Sequence, residues 1–245
     1  MKKHIRLISF FVYLIIASLV LCSCSPGDTS SSDSHFFIKV GDRELEREYI
    51  GYFFYVAQLN MIREAGMTLG EGGNSTQADV DSFWKTTEIE GRSAVDVARD
   101  LAADNAVIQT IQYLKAVSEN IKLTTDEEKE IINGINAAIE SSGGQQAFNK
   151  QLKSMGCDID AYKQILTENK YVQKLYDKYD TDGKLSVSDE ELNAYSQNHS
   201  GEIPEDVIFD YAKKDKFNRM AQEWEKEYEI IISDKKMKEF TIKKD

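Results

Sequence analysis

The placement of proline limits this chain's possible folds more than any other feature. Proline occurs only at Pro26 and Pro204, so residues 27 to 203 form 177 consecutive positions without the commonest breaker of helices and central strands. The expected fold class is therefore mainly α. With 245 residues the chain is long enough for one or two domains and a buried core. Its 41% hydrophobic and 29% charged content excludes both a disordered tail and a multispanning membrane protein. Forty-two acidic against 30 basic residues give a net charge of -12, which repels a polyanion, and no nucleic-acid partner is expected. The three histidines and three cysteines have no metal-ligand spacing and suggest no triad, so no metal, cofactor or catalytic residue is assigned.

The N-terminus carries the most specific local pattern. Lys2, Lys3 and Arg6 precede the 15-residue run Leu7 to Leu21, apolar but for Ser9, Tyr13 and Ser18. That run is short for a spanning helix and right for the core of a secretory signal peptide. Leu21-Cys22-Ser23-Cys24 follows and resembles the bacterial lipobox, with Leu21 three residues before Cys24 and the small Ser23 directly before it. Cys22 fits worse, because the large Leu21 would then precede the cut. An ordinary secretory signal cut nearby is the alternative reading. On the lipobox reading residues 1–23 are a signal peptide, Cys24 is acylated and attaches the chain to a lipid bilayer, and 24–35 form a polar tether. The mature charge becomes 27 minus 42, or -15. Cys157 is then the sole remaining thiol, so no disulfide is available and helix packing must supply stability.

Residues 36–245 read as one folded body in three parts: 36–120, helical hairpins over 121–200, and a last helix and strand over 204–245. Phe36 to Leu45 flanks the turn signal Gly41-Asp42 with apolar residues and predicts a short strand and tight turn. Glu46 to Ala65 predicts a helix whose aromatic and aliphatic residues occupy nearly every face. Such a helix is either central in a core or partly open to a ligand. Gly66 to Asn74 is glycine-rich, but it has no Walker lysine and no strand-glycine-helix setting, and reads as a plain loop. Val97, Leu101, Ile108, Ile111 and Leu114 predict a long helix over about 93–120. Thr125 and Glu128 form a predicted capping box for the next helix, lined by Ile131, Ile132, Ile135 and Ile139 and stopped by Gly143-Gly144. Phe148, Leu152 and Met155 predict a short helix, and Tyr162 to Tyr179 a longer one.

Asp180 to Glu191 resembles a calcium loop only in part. With Gly183 at the sixth place, Lys178 falls at the first and Asp189 at the twelfth, where carboxylates of a different pattern are needed. Gly183 as a helix end, and Ser188 with Glu191 as a capping box, account for these residues. From Pro204 a helix is expected to about Lys226, and Tyr228 to Ile232 reads as a strand. A strand at each end of a helical body predicts that the two pair and close the domain.

The ordered set resembles SurA-like and PrsA-like foldases: lipobox, tether, strand with Val40-Gly41-Asp42, aromatic helix, Thr125-to-Glu128 helix and Val187 to Leu192. Phe83-Trp84 followed by Glu90-Gly91, and the ending Met220 to Ile232, are similar to lipoproteins of that kind. The resemblance covers about residues 36–245. It implies a SurA N-terminal-like helical chaperone domain that binds unfolded exported polypeptides on the extracytoplasmic face of a bacterial membrane. It also implies a parvulin domain catalysing prolyl isomerisation, often inserted after the Val-Ser-Asp-Glu-Glu segment. Here the predicted helices leave only residues 197–203 for it, against the roughly 50 an independent domain needs.

Three functions follow as expectations: a membrane-anchored chaperone without its own isomerase domain, a prolyl isomerase by family relation, and an assembly-factor lipoprotein with one dedicated partner. Low-specificity polypeptide binding needs exposed aromatic and flexible apolar groups. Tyr49, Tyr52, Phe53, Tyr55 and Met61 are the candidates, with Phe83 and Trp84 as groove walls.

Overall fold

Gly41 and Asp42 turn the chain back on itself between strands β1 (Ile38–Val40) and β2 (Arg43–Leu45), with Gly41 in the left-handed region at φ 58°. The computed structural model describes residues 36–68, 73–198 and 207–242. Strand β5 (Ile230–Ile232) lies on the other side of β1, so the antiparallel sheet has the order β2-β1-β5. Ile38 faces Ile232, Lys39 faces Ile231 and Val40 faces Ile230. The two ends of the body are therefore joined, as a strand at each end of a helical body predicts. Phe37 and Phe240 add a ring contact at 5.3 Å beside the same seam.

Helix α1 (Arg47–Glu64) and helix α3 (Ala94–Ser118) pack together, and α6 (Ile159–Thr181) and α8 (Ile208–Glu225) pack on α3. Ser93 caps α3, its hydroxyl accepting the Asp96 amide at 3.1 Å, and Asn120 at φ 58° closes it. Six buried alanines on α3 let its neighbours approach closely. The resulting core runs from Phe37 to Phe240 and includes the inner residues of β1 and β2.

A second, smaller cluster lies under α4 (Thr125–Ser141), α5 (Gln145–Ser154) and the first turns of α6. This arm meets the core where Gly51, in the second turn of α1, lies against Gly156 at the α5–α6 turn. A side chain on Gly51 would run into the Gly156 carbonyl, which explains a residue otherwise unfavourable inside a helix.

Several expectations need correction. The capping box of α4 lies one residue earlier: the Thr124 amide donates to Glu127 at 2.8 Å, and the Glu127 amide donates to the Thr124 hydroxyl at 3.2 Å. The segment contains two overlapping frames, and Lys174 on α6 selects the earlier one by binding Glu127 at 2.6 Å. Of the four isoleucines expected to line α4 only Ile135 is buried, and Ile132 is exposed, because α5 and α6 cover one side of the helix. Two elements have no counterpart in the sequence reading: α2 (Gln77–Thr86) and the hairpin of β3 (Glu88–Ile89) and β4 (Arg92–Ser93). So does the short α9 (Asp234–Met237). Helix α7 (Asp189–Asn198) starts at the expected capping box, with the Ser188 amide donating to Glu191 at 2.8 Å. Helix α8 starts at Ile208, later than the expected Pro204. Gly183, at φ 74°, follows the end of α6 as expected.

The segments expected to be a signal peptide and a tether, with Cys24, Pro204, His35 and His199, lie outside the described residues, as do residues 69–72 of the glycine-rich loop. The described part of that loop is laced by Asn74, whose side chain donates to the Gly66 carbonyl at 2.7 Å and accepts the Thr68 amide at 2.8 Å. Among the described residues no helix is long and apolar enough to cross a membrane.

Candidate functional site

Helix α1 uses its aromatic face for the core. Tyr49, Phe53 and Met61 are buried in the main core, and none of the three lines either of the two grooves described below. Tyr52 is half-buried, its ring edge-on to Phe53 at 5.7 Å, and Tyr55 is half-exposed. Neither lines either of these grooves. The helix that was open to both readings is thereby a core helix. Its aromatic rings fill the space that the alanines of α3 leave.

Trp84 does wall a cleft. It is 7% exposed, and its partly buried neighbour Phe83 packs edge-on to it at 4.9 Å. The capping box at the start of α2 sets this helix in place: the Thr76 amide donates to Asp79 at 2.7 Å and the Asp79 amide to the Thr76 hydroxyl at 3.3 Å. The Thr76 amide, with the Thr76 hydroxyl donating at 2.7 Å, also holds the Asp79 carboxyl below its ordinary value. The cleft, about 330 Å³, lies between α2, the first turns of α3 and the C-terminal residues Thr241 and Ile242. Val95, Ile242 and Trp84 give it apolar walls, and Asp81, Lys85 and Arg99 are its charged lining residues. Arg99 ties the C-terminal wall to α3, donating to the Phe240 carbonyl at 2.8 Å and to Asp96 at 2.6 Å. The volume falls within the range of small-ligand and side-chain pockets.

A second, polar groove of about 550 Å³ lies where β2, α3 and α6 meet. At its floor Arg43 pairs with Glu168, and Glu168 also accepts the Tyr49 hydroxyl at 2.6 Å. The Arg43 guanidinium lies over the Tyr113 ring at 4.7 Å. Burial pushes the Glu168 carboxyl above its ordinary value, against the opposing pull of Arg43, Tyr49 and Gln164. Burial, with the adjacent Glu168 charge, raises the Tyr49 hydroxyl well above its ordinary value. A paired buried charge of this kind fixes how β2 sits on α6 and gives little net stability. Sequence reasoning missed it because residues 43, 49 and 168 meet only in the folded chain.

Cys157 is buried at the α5–α6 turn, where desolvation and the neighbouring Asp158 push its thiol up to about 12 and keep it protonated. Among the described residues no group of three or more His, Cys, Asp or Glu is placed to hold a metal ion. No family model, no curated protein and no solved structure matches this chain.

Proposed function

We propose that this chain is a lipid-anchored, extracytoplasmic holding chaperone of the SurA-like and PrsA-like kind, which binds apolar segments of unfolded exported polypeptides. The observation that carries the reading is the cleft lined by the apolar Trp84, Val95 and Ile242 together with the charged Asp81, Lys85 and Arg99. Such a cleft accepts large apolar side chains with little selectivity, and the net charge of -15 that this reading gives the mature chain opposes association of loaded complexes. The lipobox at Leu21 to Cys24 supplies the anchor in this reading. Nine residues, 199 to 207, separate α7 from α8. That is far fewer than the roughly 50 of an independent catalytic domain, which supports binding without isomerase chemistry of the parvulin type.

The test pairs two assays on the purified chain. It slows aggregation of an unfolded model protein and leaves a proline-limited refolding phase, tens to hundreds of seconds uncatalysed, at its spontaneous rate. Ile242→Ser, in the apolar lining of the cleft, weakens holding. Acceleration of the refolding phase overturns the reading in favour of an isomerase. Absence of both activities moves it to a lipoprotein with one dedicated partner.

A further inference from the structure

The three-stranded sheet has two edges of opposite character. Edge strand β2 carries Arg43 and Glu44, and Arg43 is tied to Glu168 on α6. Charge on an edge strand is a common guard against pairing with another chain. The other edge, β5, is Ile230-Ile231-Ile232, with neither charge nor proline, and Ile232 is 40% exposed.

The register fixes which backbone groups of β5 are free. Gly41 donates to the Glu229 carbonyl at 2.8 Å and Ser233 to the Phe37 carbonyl at 2.9 Å. In an antiparallel ladder bonded pairs alternate with non-bonded ones, so Lys39 and Ile231 form the bonded pair between these two. Ile230 and Ile232 are the non-bonded positions, and their N–H and C=O groups point away from β1. Among the described residues β5 has no second strand neighbour, and no backbone bond to the amide of Ile230 or Ile232 is formed from outside the ladder.

We infer that the outer edge of β5 is a strand-addition site for an extended apolar segment of an unfolded polypeptide. This deepens the chaperone reading and rests on it. Two donors and two acceptors at alternate positions along an apolar strand are complementary to extended backbone, the conformation an unfolded chain offers at no folding cost. Glu229 and Asp234 flank the strand, Lys235 and Lys236 follow it, and the chain as a whole is acidic, so an apolar segment bordered by basic residues is favoured over one bordered by acidic residues. The net negative charge opposes a second copy of this chain as the occupant.

The probe is a short fluorescent peptide of valine and threonine bordered by lysines, added to the full chain in detergent. Amide exchange at Ile230 and Ile232 slows on addition, and the same peptide N-methylated at alternate amides binds about tenfold more weakly and gives no such protection. Ile232→Pro removes an outward donor and Ile232→Lys adds a guarding charge, and each weakens peptide binding about tenfold, the loss of one or two hydrogen bonds. The ladder to β1 needs neither change reversed, so amide exchange at Lys39 reports that the fold is kept. Unchanged exchange at Ile230 and Ile232, or equal binding of the N-methylated peptide, overturns the site. Protection that grows with protein concentration and without peptide overturns it in favour of self-pairing. Loss of the edge site alone leaves aggregation suppression by the unaltered chain intact, whereas failure of the chaperone reading removes that suppression.

Discussion

Eleven of the 25 residues of α3 are buried, whereas Ile135 alone is buried among the 17 of α4. Both helices begin at a side-chain cap and both pack on α6. The central helix is held by area removed from water on several sides, about 25 cal/mol per Å² of apolar surface. The arm is held by a three-residue cluster, a capping box and ion pairs from Lys174 to Glu127 and Lys170 to Glu130. Ion pairs with solvent access contribute about 0–1 kcal/mol each. An arm so held opens below the free energy of global unfolding, and the difference between the two regions is a difference in cooperativity.

Truncation inside each cluster gives the largest effect. Ile111→Ala and Leu152→Ala each remove a fully buried side chain and each costs about 2–5 kcal/mol where it acts. Ile111→Ala lowers the midpoint of global unfolding in denaturant. Leu152→Ala speeds amide exchange in α4 and α5 and leaves α3 protected. If α3 loses protection equally in both variants, the arm is no separate unit.

Gly51→Ala acts at the junction. The added methyl meets the Gly156 carbonyl, a backbone atom that moves only with the whole α5–α6 turn, and the cost is about 1–3 kcal/mol. Exchange in α1 and in the arm should rise together. A change confined to α1 would mean that the two regions are not coupled through this contact. Thr124→Ala is smaller, about 1 kcal/mol, because it removes one cap while leaving Ile135 packed. Its effect is read as faster exchange in the first turn of α4 with an unaltered global midpoint.

What the sequence made readable was local. The spacing of apolar residues located α1, α3, α5 and α6, and Gly41-Asp42 located the hairpin, because each signal depends on residues within a few positions of one another. The closure of β1 on β5 was readable for a further reason: short apolar strands cannot leave both edges unpaired. The turn at Glu90-Gly91 was not, since glutamate at φ 53° replaces the usual Asn or Asp and the flanking strands are charged. The frame of the α4 cap was decided by Lys174, 47 positions from Glu127. At the cleft, Trp84 could be picked out as an aromatic beside another aromatic. Arg99 and Ile242 could not, because only the returning C-terminus brings them to it. The same holds for the unguarded face of β5, whose outward backbone groups follow from register and not from residue type.

Acid separates the two regions by sign, and this is the smallest of the expected effects. In the arm, the Lys174 ammonium and the Thr124 amide hold the Glu127 carboxyl down to about 2 from an ordinary 4.5. The unfolded chain therefore binds this proton more readily than the folded one. Glu127 contributes stability above about pH 4.5, and that contribution is lost as the pH falls toward about 2. In the core, burial raises Glu168 above 4.5, so the folded chain binds the proton more readily. Its contribution is fully present below about pH 4.5 and declines as the pH rises through the raised value. Site-resolved amide exchange between pH 7 and pH 3, corrected for the intrinsic pH dependence of exchange, reads both. On acidification α4 loses protection below about pH 4.5, whereas the β2–α6 contact gains it at higher pH. Glu127→Gln flattens the first dependence and Glu168→Gln the second. A slope of the same sign in both regions would show that the Arg43 pairing outweighs burial at Glu168, and would make the polar floor of the groove a second arm-like contact held by charge.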